Sequence, residues 1–250
     1  MKVFTKYRHK QIRIVRKASM REVRFEIGKI PSIVWGESSE KVYLFIHGKN
    51  GCKESARGFA SIAANKGWAV LSIDLPEHGE RKREKGLFVP WHIEPELQIV
   101  IHWTKQHWKR VSLRADSIGA WFSMLSFADE YLENCLFVSP ILDMEQVIHN
   151  MMMWGSISEE RLMREQTITT PFGETLSWKY LDFVKKHPIK KWSTQTAILY
   201  AKEDNITERN TVDMFVAKHQ CQLTIAEKGE HWFHTPEQLN ILHQWTEPLI

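Results

Sequence analysis

Acyl-transfer chemistry needs a hydroxyl or thiol activated by a neighbouring base, and a base held in place by an acid. Ser117 stands in Ala115-Asp116-Ser117-Ile118-Gly119, with small residues two positions before and two positions after it. Downstream lie carboxylates at Asp143, Glu203 and Asp204, and histidines at His231 and His234. Taken alone, Ser117 would equally suit a helix N-cap, where its oxygen accepts a backbone N–H. The two histidines would suit a metal, but no third ligand stands at useful spacing and the His-Glu-x-x-His order of zinc hydrolases is missing. The elements that carry each residue must decide.

Those elements alternate. Short β-branched and aromatic runs occur at Val23–Ile27, Val42–Ile46, Ala69–Ile73, Val111–Ala115, Leu136–Ser139, Thr196–Tyr200 and Gln222–Ala226. After residue 40 most are continuous apolar runs, the pattern of strands covered on both faces. Helical spacing fills the gaps at Glu54–Lys66, Pro95–Lys109, Ile118–Tyr131, Arg209–His219 and Pro236–Trp245. Strand and helix in alternation predict an α/β fold with a mostly parallel central sheet flanked by helices. The first strands, through Ile33, have no helices between them and are expected to pair antiparallel at one edge. Ligands of such sheets collect beyond the carboxyl ends of the strands. Ser117 follows Val111–Ala115 and opens the helix at Ile118, so its hydroxyl is expected at that end.

This strand–turn–helix resembles the nucleophile elbow of the α/β-hydrolase fold superfamily, a group of serine hydrolases and esterases, with Ala115 in place of the first glycine of Gly-x-Ser-x-Gly. The resemblance runs from about residue 42 to 250. It implies that the acid and then the histidine follow the serine, each after a strand. Ala201-Lys202-Glu203-Asp204 after Thr196–Tyr200 resembles the acid loop and puts the acid on Asp204 rather than Glu203. Asp143 is its rival, since some members take the acid from the preceding strand. Lys228-Gly229-Glu230-His231-Trp232-Phe233 resembles the histidine loop, with His231 as the base. His234 is expected to start the last helix. Similarly, His47-Gly48-Lys49 after Val42–Ile46 resembles the loop that lends one backbone N–H to an oxyanion. The resemblance thus implies a hole made by the Lys49 and Ile118 N–H groups. Asp74 and His78, in Asp74-Leu75-Pro76-Glu77-His78-Gly79, match a loop that in the family is structural.

One stretch breaks the alternation. No strand is predicted from about Ile141 to Trp192; two helical pieces are, one opened by a capping box at Ser156–Glu159 and one over Thr175–His187. A segment this long is expected to be a helical lid over the site. Met153 and Trp154, within the soft cluster Met151–Trp154, and Trp121 and Trp232 beside the proposed catalytic residues, are candidate substrate-pocket residues. Packing of the lid onto the core would explain the same residues equally well.

With 250 residues, 43% of them hydrophobic, and no linker or repeat, the chain reads as a single domain over 1–250. Three widely spaced cysteines make a poor disulfide framework, and the N-terminus lacks a signal sequence, so a cytoplasmic protein is expected. No apolar run is long enough for a membrane span. Residues 1–24 carry nine basic residues against Glu22 alone. An edge strand around Gln11–Arg16, its charges discouraging edge pairing, accounts for them, and no nucleic-acid partner is expected. The sequence therefore predicts a serine hydrolase of a small or medium carboxylic ester, needing neither cofactor nor metal. Thioester, other acyl or carbon–carbon bond hydrolysis would use the same constellation. A ligand-binding sensor that keeps the fold without turnover is the alternative of another class.

Overall fold

The structure, a computed structural model, describes residues 20–250. The basic segment around Gln11–Arg16 lies outside them. Strands β1 (Glu22–Ile27) and β2 (Ile30–Trp35) form a hairpin whose second strand pairs antiparallel with β4 (Ala69–Ile73). From there the sheet is parallel through β3 (Lys41–Ile46), β5 (Arg110–Asp116), β6 (Cys135–Val138), β9 (Thr196–Glu203) and β10 (Gln222–Glu230). Its spatial order is β1-β2-β4-β3-β5-β6-β9-β10. This is the mostly parallel α/β sheet expected from the continuous apolar runs, with the antiparallel strands at one edge.

Alternation of side chains across the pleat gives the sheet two cores. Val42, Leu44, Ile46, Leu113 and Ala115 face α2 (Pro90–His107), α3 (Ile118–Phe127) and α7 (Arg209–His219). Tyr43, Phe45, Val70 and Leu199 face α1 (Arg57–Asn65) and α8 (Pro236–Thr246). The central strands are therefore buried on both sides, which is why their sequences do not alternate.

Between β6 and β9 lies an insert built differently from its expected form. It contains α4 (Met144–Trp154), α5 (Glu159–Glu165), a hairpin of β7 (Thr167–Thr169) and β8 (Thr175–Ser177), and α6 (Trp178–Lys186). The expectation of no strand here is corrected, as is the helix over Thr175–His187, whose first three residues are strand. Gly173, at φ 89°, turns the hairpin, and Ser177 then caps α6 by accepting the Tyr180 N–H. The cap of α5 is Ser158, whose Oγ accepts the Arg161 N–H, while Ser156 sits in a turn at φ 52°. The Met151–Trp154 cluster belongs to α4. The last helix is capped by Thr235, and His234 precedes it, donating its backbone N–H to Gln238 Oε1.

The approach of α3 to β3 fixes the heart of the fold. A Cβ on Gly119 would sit 2.6 Å from the His47 carbonyl oxygen and 2.7 Å from that of Ile46. Both obstacles are backbone and cannot swing aside. In an open helix, replacing glycine with alanine would stabilise by up to about 1 kcal/mol. Here Gly119→Ala is expected to destabilise by about 1–3 kcal/mol, seen as a lower urea midpoint at unchanged m-value.

Candidate active site

Ser117 joins β5 to α3 in a conformation that L-residues rarely adopt, φ 52° and ψ −123°. Such a backbone costs about 1–3 kcal/mol and persists only where its surroundings over-determine it. Here they do. The Ser117 N–H donates to the Val138 carbonyl at 3.0 Å, and its own carbonyl accepts from Ala120 at 3.0 Å and Ile141 at 3.1 Å. Ala115, buried completely, and Gly119 leave the turn room to close. Beneath it, Arg114 is buried between the rings of Phe59 and Trp245 and donates Nε–H to Asp116 at 3.0 Å. The helix-cap reading of Ser117 is not met: its side chain accepts no hydrogen bond from α3. It points instead at His231.

The Ser117 Oγ–His231 Nε2 distance is 2.8 Å, and the His231 Nδ1–Asp204 Oδ2 distance is also 2.8 Å. Asp204 is fully buried, and its other oxygen accepts the N–H groups of Ile206 at 2.8 Å and Thr207 at 3.0 Å. A carboxylate so held is an acceptor, which places the imidazole proton on Nδ1 and the lone pair of Nε2 toward the serine hydroxyl. His231 reaches this position because β10 departs from regular pairing with β9 between Ala226 and Glu230. An irregularity of this kind re-aims the chain at a strand's end. The two other carboxylates stand apart: Glu203 is exposed on β9, and Asp143 is exposed and caps α4 by accepting the Gln146 N–H at 3.0 Å.

The loop after β3 meets this group through Gly48, where a Cβ would lie 3.0 Å from the Ser117 Cβ. Two histidines shape the loop. Buried His47 accepts the Leu75 N–H on Nε2 at 3.0 Å and therefore donates Nδ1–H to the Gly48 carbonyl at 2.8 Å. His78 accepts the Asn50 N–H on Nε2 at 3.0 Å. Gly51 N–H closes the turn on the Gly48 carbonyl at 3.0 Å. The N–H groups of Lys49 and Ile118 have no acceptor among the described residues. Deeper in, Asp74 is fully buried and accepts from the Lys53 backbone at 2.8 Å, Lys53 Nζ at 2.6 Å and the Glu80 N–H at 2.9 Å. It fastens the loops after β3 and β4 to each other.

Sequence spacing did not reveal the roles of Arg114, His47 and Lys53, whose partners are remote or depend on burial. The candidate pocket residues are dispersed. Trp121 is buried with its ring stacked on Tyr180 of α6, so it packs the insert onto α3. Met153, Trp154 and Trp232 are exposed, at 68%, 53% and 73% of their surfaces. Trp154 meets Phe172 of the β7–β8 turn edge-on at 6.2 Å, and Trp232 stacks on His234 at 4.6 Å. Among the described residues no cluster of three or more His, Cys, Asp or Glu could hold a metal ion, and no helix is long and apolar enough to cross a membrane.

No protein-family model and no curated protein matches this sequence. Solved structures do. Est1E from Butyrivibrio proteoclasticus, in a structure with ferulic acid bound, matches with a TM-score of 0.72 at 16% identity, over 91% of this chain and 97% of that one. The alpha/beta hydrolase domain-containing protein 10 from mouse matches with a TM-score of 0.69 at 13% identity, over 93% of this chain and 98% of that one. The thioesterase domain from the curacin biosynthetic pathway matches with a TM-score of 0.57 at 16% identity, over 91% and 99%. The chain has the α/β-hydrolase fold.

Burial holds His47 neutral, lowering its pKa from 6.5 to about 4. Between those values the unfolded chain binds a proton that the folded chain refuses. Stability is therefore expected to fall as pH drops from 6.5 toward 4, by about 3 kcal/mol in all. Urea midpoints measured across this range should decline more steeply for the wild type than for His47→Asn, which does not titrate there.

Proposed function

We propose that this protein is a serine hydrolase acting on a small or medium carboxylic ester, with Ser117 as nucleophile, His231 as general base and Asp204 as orienting acid. The observation that carries this reading is the unbroken relay from Ser117 Oγ through His231 to Asp204, with both links at 2.8 Å and the serine on a strained turn. A core histidine with no catalytic task would not need a serine held at positive φ against it.

In this reading Oγ attacks the ester carbonyl as His231 Nε2 takes its proton. The tetrahedral oxyanion is met by the N–H groups of Lys49 and Ile118, which no other group claims. A donor of this kind contributes about 3 kcal/mol to the barrier reduction. His231 then returns the proton to the leaving alkoxide, and water, activated by the same base, releases the acid. Asp204 stays ionised and fixes the tautomer.

The insert between β6 and β9 serves as the lid of one continuous domain, and its exposed Met153, Trp154 and Phe172, with Trp232, supply apolar surface at the mouth of the site. The neighbours in fold include Est1E, with ferulic acid bound, and a thioesterase domain. The latter likeness makes thioester hydrolysis the second reading, since the oxyanion and the base would serve it unchanged. The free thiols of Cys52, Cys135 and Cys221 fit a reducing, cytoplasmic setting.

A panel of activated esters and thioesters of graded acyl length tests the proposal. Ser117→Ala is expected to abolish turnover while leaving the unfolding midpoint near or above that of the wild type, because the strain it carries needs no catalytic gain. Asp204→Asn should lower kcat on the order of 10³- to 10⁴-fold. Asp143→Asn, which still caps α4, should leave kcat within about twofold. An active Ser117→Ala variant would refute the reading, and a loss at Asp143 rather than Asp204 would reassign the acid.

A further inference from the structure

The Lys49 peptide is gripped from two sides. Below it, His47 and His78 bind the Gly48 carbonyl and the Asn50 N–H on either side of the residue. Above it, the Lys49 ammonium is paired with both carboxylate oxygens of Glu174 in the β7–β8 turn. These residues are 125 positions apart, and Glu174 belongs to the insert while Lys49 belongs to the sheet's loop. The turn that presents Glu174 is itself rigid. Thr170 exchanges three hydrogen bonds with Glu174 through backbone and hydroxyl, Gly173 N–H closes on the Thr170 carbonyl, and Phe172 packs on Trp154 of α4. The hairpin therefore reaches the loop as one body with α4.

We propose that Glu174 is a positioning residue for the oxyanion-binding turn, clasping the insert to the Lys49 side chain so that the Lys49 N–H points at the reacting carbonyl. The inference rests on the serine-hydrolase reading above and adds to it a coupling between insert and reaction centre. Donors preorganised toward the developing charge stabilise the transition state, and small errors in their aim are felt in kcat. His47 and His78 fix the two flanking peptide groups but leave the Lys49 peptide plane itself to its side-chain tether. Glu174 touches neither substrate nor nucleophile, so its loss is read in kcat rather than KM. Both partners are nearly half exposed, at 46% and 44% of their side chains, so the clasp is weakened by salt and can open to admit substrate.

The test uses the full chain, with two readouts at low salt: the rate at which a fluorophosphonate labels Ser117, and kcat and KM for an activated short-chain ester. Glu174→Gln is expected to slow both labelling and kcat by about two- to fivefold with KM nearly unchanged. Glu174→Asp, which keeps the charge, restores most of the rate. Lys49→Gln keeps the backbone N–H but loses the clasp, and should match Glu174→Gln. The double variant should be no slower than either single one, because both remove the same interaction. Added salt should slow the wild type toward Glu174→Gln and leave Glu174→Gln itself unaffected. A wild type that is labelled at Ser117 while Glu174→Gln reacts at the same rate overturns this inference alone. So do single losses that multiply in the double variant, or an effect confined to KM. A wild type that is not labelled at Ser117 overturns the hydrolase reading, and this inference with it.

Discussion

The backbone of Ser117 is the constraint on which the rest of the site depends. A residue at φ 52° is unfavourable by itself, and every element around it contributes to keeping it there. The β6 strand end accepts its N–H, the chain after β6 donates to its carbonyl, and Gly48 and Gly119 let β3 close against it. This contact network belongs to the middle of the sheet, where strands are buried on both faces and local opening costs most. A reactive hydroxyl is thereby held on the stiffest part of the molecule while remaining open to the side where loops gather.

Around that point the loops divide the work by chemistry. Charge is confined to buried pairs with full partners: Asp204 beneath His231, and Asp74 with Lys53. Each carboxylate accepts three hydrogen bonds, which offsets the cost of burying it. Neutral histidine does the shaping. His47 and His78 each accept a backbone N–H on Nε2 and use Nδ1 toward a carbonyl, so the turn between them is set without introducing charge beside the nucleophile. Aromatic contacts then continue outward from His78 to Phe88, Phe122, Trp121 and Tyr180, joining the loop to the insert through α3.

Much of this arrangement was legible in the residues. Central strands such as Ala69–Ile73 and helices such as Arg209–His219 have the boundaries their periodicity predicts, because burial on two faces or on one stripe dictates the pattern. Ser117, Asp204 and His231 stood out because each follows a strand, and the structure brings the three together. The insert was less legible. Its strands are three residues each, too short for alternation to register, and Thr175–Ser177 runs without a break into a helical pattern. Trp121 shows the limit for side chains. Its position near Ser117 fitted a pocket wall and a core contact equally, and only the location of α6 decides. Pairs such as Lys49 with Glu174 or Arg114 with Trp245 join residues far apart in sequence and leave no spacing to read.

The account stands on Ser117 forming a covalent bond to the acyl group it attacks. Its most direct measurement is rapid mixing with an activated ester, acid quenching, and mass analysis of the intact protein and its peptides. A mass increase of one acyl group on the peptide containing Ser117, appearing before steady-state product and absent after Asp204→Asn slows the attack, is the predicted result. Turnover without any adduct at Ser117, or an adduct carried by another residue, would contradict it.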